Sequence, residues 1–172
     1  MPIYALGKLE PTIHADAFVH PDAVIIGEVH IGAFASIWPG SVLRGDNGSV
    51  TIGAYTSIQD GSVVHTTPDS PTNVGEHCLV GHMVHLEGCV MEEWSQASSG
   101  SVVLHRARIC SGAIVAANAV VLNDTVVPPG ALAVGTPAVI KEGKANMEAV
   151  KMGIEAYIQN GKRYKRDLRR LD

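Results

Sequence analysis

Every six residues the chain returns to an aliphatic side chain, and this period constrains the fold more than any other feature. A short residue follows four places later in most units, as at Ala35 and Ala113. A fixed short period predicts a solenoid in which each unit contributes one short strand. The aliphatic positions are Ile25, Ile31, Ile37, Leu43, Ile52, Ile58, Val64, Val74, Val80, Leu86, Met91, Ala97, Val103, Ile109, Val115, Val121, Val127 and Ala133.

The period changes after Gly135-Thr136-Pro137, and the chain is therefore expected to change its secondary structure there. Apolar residues then recur at helical spacing and predict a helix from about 144 to 168. We expect an all-β, parallel β-helix over residues 1–143 and a C-terminal α-helix within 144–172 that packs on it, as one domain overall. The helical apolar positions are Met147, Val150, Ile154, Tyr157 and Ile158.

Two units of the repeat are too long. Arg44-Gly45-Asp46-Asn47-Gly48 lies between Leu43 and Ile52, and a turn-rich segment from Thr66 to Pro71 lies between Val64 and Val74. Insertions in a solenoid leave from a corner and often mark the edge that binds a ligand. The two insertions therefore direct attention to the coils between residues 43 and 74.

Composition excludes several classes of function. The chain has 172 residues and a net charge of -4, which gives no reason to expect nucleic acid as a partner. No run of about 18 apolar residues predicts a membrane span, and the first residues do not resemble a signal peptide. Three cysteines, Cys78, Cys89 and Cys110, lack the spacing of a metal site, which indicates a reduced, cytoplasmic protein.

The repeat also predicts which outward side chains meet. Residues three units apart share one flat face, one coil above the other, about 4.8 Å apart. Leu43, Val64 and Leu86 are related in this way, so the residues that follow them should stack as an outward column. These followers are Arg44, His65 and Glu87.

The register places His82 around a corner from this column, where it reaches a shared site most easily in a neighbouring subunit. Zinc accepts histidine nitrogen and carboxylate oxygen, and three such ligands leave a position open for water. His65 and Glu87 could hold one ion together, and His82 is a candidate for the third ligand. Gln59 is a neutral amide that could hydrogen-bond the water.

In combination, the motifs resemble the γ-class carbonic anhydrase family of left-handed hexapeptide β-helices. The resemblance covers nearly the whole chain. It rests on Arg44-Gly45-Asp46, on Ile58-Gln59-Asp60-Gly61 with His65, on Val80-Gly81-His82, and on Gly135-Thr136-Pro137 before a C-terminal helix.

This resemblance implies a homotrimer with Zn²⁺ or Fe²⁺ at each subunit interface, held by three histidines. His65 and His82 match two of these histidines. The implied reaction is the reversible hydration of carbon dioxide to bicarbonate by a metal-bound hydroxide.

The resemblance also implies roles for four residues beside the metal. Arg44 and Asp46 match the interface ion pair of the family. Gln59 matches the glutamine near the metal-bound water, and Asp60 matches the acid that follows it.

The sequence departs from the family at the third histidine, because Glu87 occupies that position. Glu87 as the third ligand, His85 as a substitute ligand, and a chain that binds no stable metal all stay open. The register places His85 at a corner, off the column of His65. A carboxylate ligand adds negative charge to the metal and makes its water less acidic, so we expect weak hydratase activity.

Two other functions compete with the hydratase. A relative that keeps the trimer could act as a binding or scaffold protein, associated with siderophores or with an acyl-CoA pathway. A hexapeptide acyltransferase would use coenzyme A and a catalytic histidine, for which His85 and His105 are candidates. The Arg-Gly-Asp and Gln-Asp-Gly motifs argue against the acyltransferase.

Overall fold

The computed structural model describes residues 2–172, and within them the chain forms twenty short strands and one helix. The first ten strands are β1 (Ile3–Tyr4), β2 (Thr12–Ile13), β3 (Phe18–Val19), β4 (Val24–Ile31), β5 (Ser36–Ile37), β6 (Val42–Ile52), β7 (Ser57–Ile58), β8 (Val63–His65), β9 (Thr72–Val74) and β10 (Leu79–Val80). The other elements are β11 (His85–Glu87), β12 (Val90–Met91), β13 (Gln96–Ala97), β14 (Val102–Val103), β15 (Arg108–Ile109), β16 (Ile114–Val115), β17 (Val120–Val121), β18 (Val126–Val127), β19 (Leu132–Val134), β20 (Val139–Lys141) and α1 (Met147–Asp167).

The strands stack on three faces of a coil, as the repeat predicts. The first face runs β4–β6–β8–β11–β14–β17, and the second runs β4–β6–β9–β12–β15–β18. The long strands β4 and β6 turn the corner between these two faces and join them in one sheet. The third face runs β3–β5–β7–β10–β13–β16–β19–β20, with β20 paired antiparallel to β19. The predicted left-handed parallel β-helix is confirmed.

The aliphatic positions of the repeat fill the interior. Ile25, Leu43, Val64 and Leu86 are fully buried in successive coils of the first face. Small polar residues at the corners are buried as well, and their hydroxyl groups bond to the adjacent coil; for example, the hydroxyl of Ser62 donates to the Gly81 carbonyl at 2.7 Å. Among the buried side-chain polar atoms of residues 2–172, the hydroxyl of Ser101 alone lacks a hydrogen-bond partner.

The first insertion is not the corner loop that the long unit predicted. Residues 42–52 form one continuous strand, β6, which pairs with β4 on both sides of a register shift between Gly27 and Val29. The extra residues are accommodated because Gly27 packs against the backbone of Gly45, where a Cβ on Gly27 would lie 2.2 Å from the carbonyl oxygen. Asp46 is thereby held within a strand, beside Arg44.

The helix α1 lies across the third face. Asn146 caps its first turn by accepting a hydrogen bond from the Ala149 N–H at 3.2 Å. Its apolar side buries Val150 and Ile154 against Leu79 and Ile114 of the third face. The predicted helix is confirmed, and no helix among residues 2–172 has an apolar stretch long enough to cross a bilayer. The first and second faces are left free of the helix.

Candidate metal centre

The predicted column on the first face is present. The register of β6, β8 and β11 pairs Arg44 with His65 and His65 with Glu87. The neighbouring aliphatic residues Leu43, Val64 and Leu86 point inward, so the three polar side chains point outward by strand alternation. The coil thus brings together residues that lie far apart in the chain.

Both ring nitrogens of His65 face a carboxylate. Nδ1 lies 3.1 Å from Oε1 of Glu87, and Nε2 lies 3.1 Å from Oδ1 of Asp46. The other oxygen of Asp46 accepts a hydrogen bond from the Arg44 guanidinium. His65, Asp46 and Glu87 are each about four-fifths buried, with exposed side-chain fractions of 15%, 19% and 22%. The site is therefore a row in which basic and acidic side chains alternate, largely shielded from solvent.

Two further histidines approach Glu87. Nε2 of His85 lies 3.0 Å from Oε2, and Nε2 of His105 lies 3.7 Å from Oε1. The expectation that His85 lies at a corner is wrong, because His85 and Glu87 are alternate residues of β11 and point to the same side. The sequence predicts no contact between His105 and Glu87, although their spacing of about one coil is a signal that places them near each other.

The contacts shift the acidity of both carboxyl groups. Burial raises the pKa of Asp46, but the hydrogen bonds from Arg44 and His65 outweigh it and hold the pKa below its ordinary 3.8. Burial likewise raises the pKa of Glu87, while the hydrogen bonds from His85 and His65 lower it to a value below 4.5. Both groups are therefore anionic at neutral pH.

The remaining candidate residues form a second group at the opposite edge of the first face. His82 lies at the corner before β11, and its Nδ1 is 3.0 Å from Oδ2 of Asp60. Gln59 is buried at the same corner, directly after β7. Because the extended strand β11 separates His82 from Glu87, the structure does not bring His82 to the column within one chain.

The donor types of the column fit a divalent metal. Metal binding at Nδ1 requires the tautomer of His65 in which Nε2 carries the proton and donates to Asp46, so that Nδ1 presents its lone pair toward Glu87 in place of a hydrogen bond. Two facing acceptors 3.1 Å apart repel unless a proton or metal ion lies between them. Ligand atoms of tetrahedral zinc lie about 3.3 Å from one another, which matches this spacing.

The column alone supplies too few ligands. Within residues 2–172 of one chain, no three His, Cys, Asp or Glu side chains are arranged to hold an ion together. The column offers His65 and Glu87, and His82 is about half exposed at the opposite edge with no part in it. A complete three-ligand centre from these residues therefore needs a second chain.

Comparisons with known proteins give a consistent picture of the fold. Residues 10–45 match the family model described as bacterial transferase hexapeptide (six repeats). A hexapeptide transferase family protein from Anaplasma phagocytophilum is 32% identical with a TM-score of 0.90, and the match covers 95% of this chain and 98% of that one. A candidate acetyltransferase from Bacillus cereus is 30% identical with a TM-score of 0.92, over 95% and 96% of the two chains.

A curated relative gives a second line of similarity. The carnitine operon protein CaiE from Escherichia coli K12 is 40% identical over 117 residues, which are 68% of this chain and 60% of the relative. The chain thus spans about 60% of the length of the curated relatives that it matches.

Proposed function

The chain belongs to the hexapeptide-repeat family of left-handed β-helix proteins, and on this premise we propose that it is a γ-class carbonic anhydrase-like metalloprotein. Its reaction is the reversible hydration of carbon dioxide to bicarbonate. The metal, Zn²⁺ or Fe²⁺, is held by His65 and Glu87 of one chain and His82 of a neighbour. When bound, the metal supplies Lewis acidity and makes a water molecule nucleophilic near neutral pH.

One observation carries this proposal: Nε2 of His65 contacts the Asp46 carboxylate, while Nδ1 of the same ring faces Glu87. A histidine that binds metal donates its other N–H to a carboxylate or carbonyl, which fixes the tautomer and the ring plane. Asp46 has this role, and Arg44 holds Asp46 in turn. With the proton on Nε2, the three residues direct the Nδ1 lone pair toward Glu87.

The residues at the other edge complete the arrangement. Asp60 accepts from His82 at Nδ1, which leaves Nε2 of that imidazole free to bind an ion. Gln59 is buried beside this corner and offers an amide that both donates and accepts hydrogen bonds to substrate or water. Each edge of the first face thus carries one half of a site.

Placement of the two halves at opposite edges favours a closed ring of subunits. When one patch meets a different patch on the next copy, the contact is heterologous, and it closes into a ring if the rotation permits. The ring size that the resemblance to the γ-class family implies is three. We therefore propose a homotrimer with one site at each seam.

Glu87 sets an upper limit on the activity. It brings a negative charge to a position where the resemblance implies a neutral imidazole, and this charge reduces the Lewis acidity of the centre. His85 and His105 offset part of the charge through their contacts with the same carboxylate. We expect hydration that is measurable but slower than with three histidines.

The test is metal analysis of the purified protein with a stopped-flow assay of carbon dioxide hydration. The proposal expects bound metal and a rate above the buffer background, both lost in His65→Ala. The matched control is His14→Ala, because His14 also contacts an aspartate but lies far along the chain in an exposed position. A metal-loaded protein without any rate would leave a binding or scaffold role.

Acyl transfer is the second candidate, because a candidate acetyltransferase is among the similar structures. His85 and His105 are partly exposed on the first face and are the histidines for such a role. Calorimetry with acetyl-coenzyme A distinguishes the two functions. Micromolar binding that His85→Ala or His105→Ala abolishes would favour acyl transfer.

A further inference from the structure

We infer that His85 is a positioning residue, which holds the Glu87 carboxylate so that a single oxygen faces His65. The inference rests on the proposed metal centre and names a residue that takes no direct part in binding the ion. Its basis is that the two carboxylate oxygens of Glu87 contact two different histidines. Oε2 contacts Nε2 of His85 at 3.0 Å, whereas Oε1 contacts Nδ1 of His65 at 3.1 Å.

A carboxylate needs such a partner more than an imidazole does. A histidine ligand presents one nitrogen from a rigid ring, but a glutamate side chain has three rotatable bonds and two equivalent oxygens. Without a fixed partner, Glu87 can rotate and present either oxygen, and holding it in one geometry costs rotamer entropy. A hydrogen bond to Oε2 selects one rotamer before the ion arrives.

Strand geometry makes His85 the residue that can do this. Alternate residues of β11 point to the same side, so His85 and Glu87 lie side by side on the outward surface. His105 lies 3.7 Å from Oε1, which is beyond the length of a hydrogen bond. The Arg44 guanidinium is occupied by Asp46. Among residues 2–172, His85 is therefore the side chain that donates a hydrogen bond to Oε2 of Glu87.

The contact between His85 and Glu87 also distinguishes a positioning role for His85 from a role as a metal ligand. Nε2 of His85 carries the proton when it donates to Oε2, and a protonated nitrogen has no lone pair for a metal. The residue acts through its N–H and not through a lone pair. A side chain that keeps an N–H at the same reach should therefore replace it, although that side chain binds metals poorly.

The experiment measures Co²⁺ and Zn²⁺ affinity of the purified, assembled protein. Co²⁺ is followed by its visible absorption, and Zn²⁺ by competition with a coloured chelator. The variants are His85→Leu, which removes the donor, and His85→Gln, whose amide nitrogen reaches the position of Nε2. His30→Leu is the matched control, because His30 and Glu28 are also alternate residues of one strand with a side-chain contact of 3.9 Å.

Loss of the donor should weaken metal binding by about 10- to 100-fold, as is typical of partners that orient a metal ligand. His85→Gln should restore most of the affinity and the cobalt spectrum, and His30→Leu should change neither. Equal affinity of His85→Leu and the wild type would overturn the inference but leave the metal centre. Failure of His85→Gln to restore the affinity would also overturn the inference, because the residue would then not act through an N–H donor. A wild-type protein that takes up no metal would overturn both proposals.

Discussion

Nδ1 of His65 and Oε1 of Glu87 lie 3.1 Å apart, although they are 22 positions apart in the chain. One turn of the coil brings them together, and Asp46 on the far side of the imidazole decides which nitrogen faces the carboxylate. This pair links the fold to the proposed chemistry, because it joins two ligand types that zinc accepts in a shielded place.

Replacing the carboxylate by an imidazole tests the role of Glu87. We expect Glu87→His to raise the rate of carbon dioxide hydration on the order of tenfold, because a neutral ligand leaves the metal more acidic. Stopped-flow assays of metal-loaded protein measure the rate, and light scattering checks that assembly is unchanged. Glu87→Gln, which removes the charge without adding an imidazole, is the control and should lose metal. A metal-loaded Glu87→His protein that is no faster than the wild type would count against the altered ligand.

Asp46 is expected to support the metal through His65. Asp46→Asn weakens the charge-assisted contact with Nε2 and with Arg44, so we expect metal affinity to fall by about tenfold or more. Asp16→Asn is the matched control, because Asp16 contacts His14 at 3.7 Å in an exposed pair. Chelator competition gives both affinities. An effect of equal size in the two variants would mean that the contact with His65 has no special role.

Stability should depend on pH through the two anionic carboxyl groups. The folded-state pKa values of Asp46 and Glu87 lie below the ordinary values of 3.8 and 4.5. Their stabilising contribution is therefore complete above about pH 4.5 and is lost as the pH falls through the depressed folded-state values. Urea unfolding at pH 7 and near pH 3 should show a smaller acid loss in the Asp46→Asn, Glu87→Gln double variant than in the wild type. Identical losses would show that other groups control acid stability.

The close contact between successive coils predicts that Gly53 does not tolerate a larger residue. A Cβ at Gly53 would lie 2.4 Å from the backbone carbon of Gly75 in the next coil. Because backbone cannot yield as a flexible side chain does, Gly53→Ala should destabilise the fold by about 1–3 kcal/mol. Thermal unfolding measures the effect, with Val126→Ala at a half-exposed position as the control. A melting temperature within the error of the wild type would contradict the tight stacking.

The repeat made much of this structure predictable. Because one aliphatic side chain per six residues must point inward, the inward set fixes the outward set, and the column of Arg44, His65 and Glu87 follows by counting. The same arithmetic shows that His82 cannot join the column in one chain. The helix was predictable because its apolar spacing differs from that of the repeat.

The six-residue period does not predict side-chain contacts where a unit has an irregular length. Asp46 lies in the long unit. Its contact with His65 depends on β6 continuing as one strand through the insertion, which the close approach of Gly27 to Gly45 permits. The approach of His105 to Glu87, at 3.7 Å, was not predicted, because His105 was considered only as an acyltransferase histidine. Side-chain contacts across such irregularities depend on backbone geometry that the period does not encode.

The most direct test of a centre shared between chains is complementation of two inactive variants. His65→Ala lacks the ligand of the column, and His82→Ala lacks the ligand of the opposite edge, so neither should bind metal alone. Purified as mixed trimers, the two should recover about one site in three. Each ring that contains both chains has one seam with His65 from the His82→Ala chain and His82 from the His65→Ala chain. Metal content per chain, measured on the mixed protein, should rise to that level. No recovery on mixing, or full metal in either single variant, would contradict a site formed between subunits.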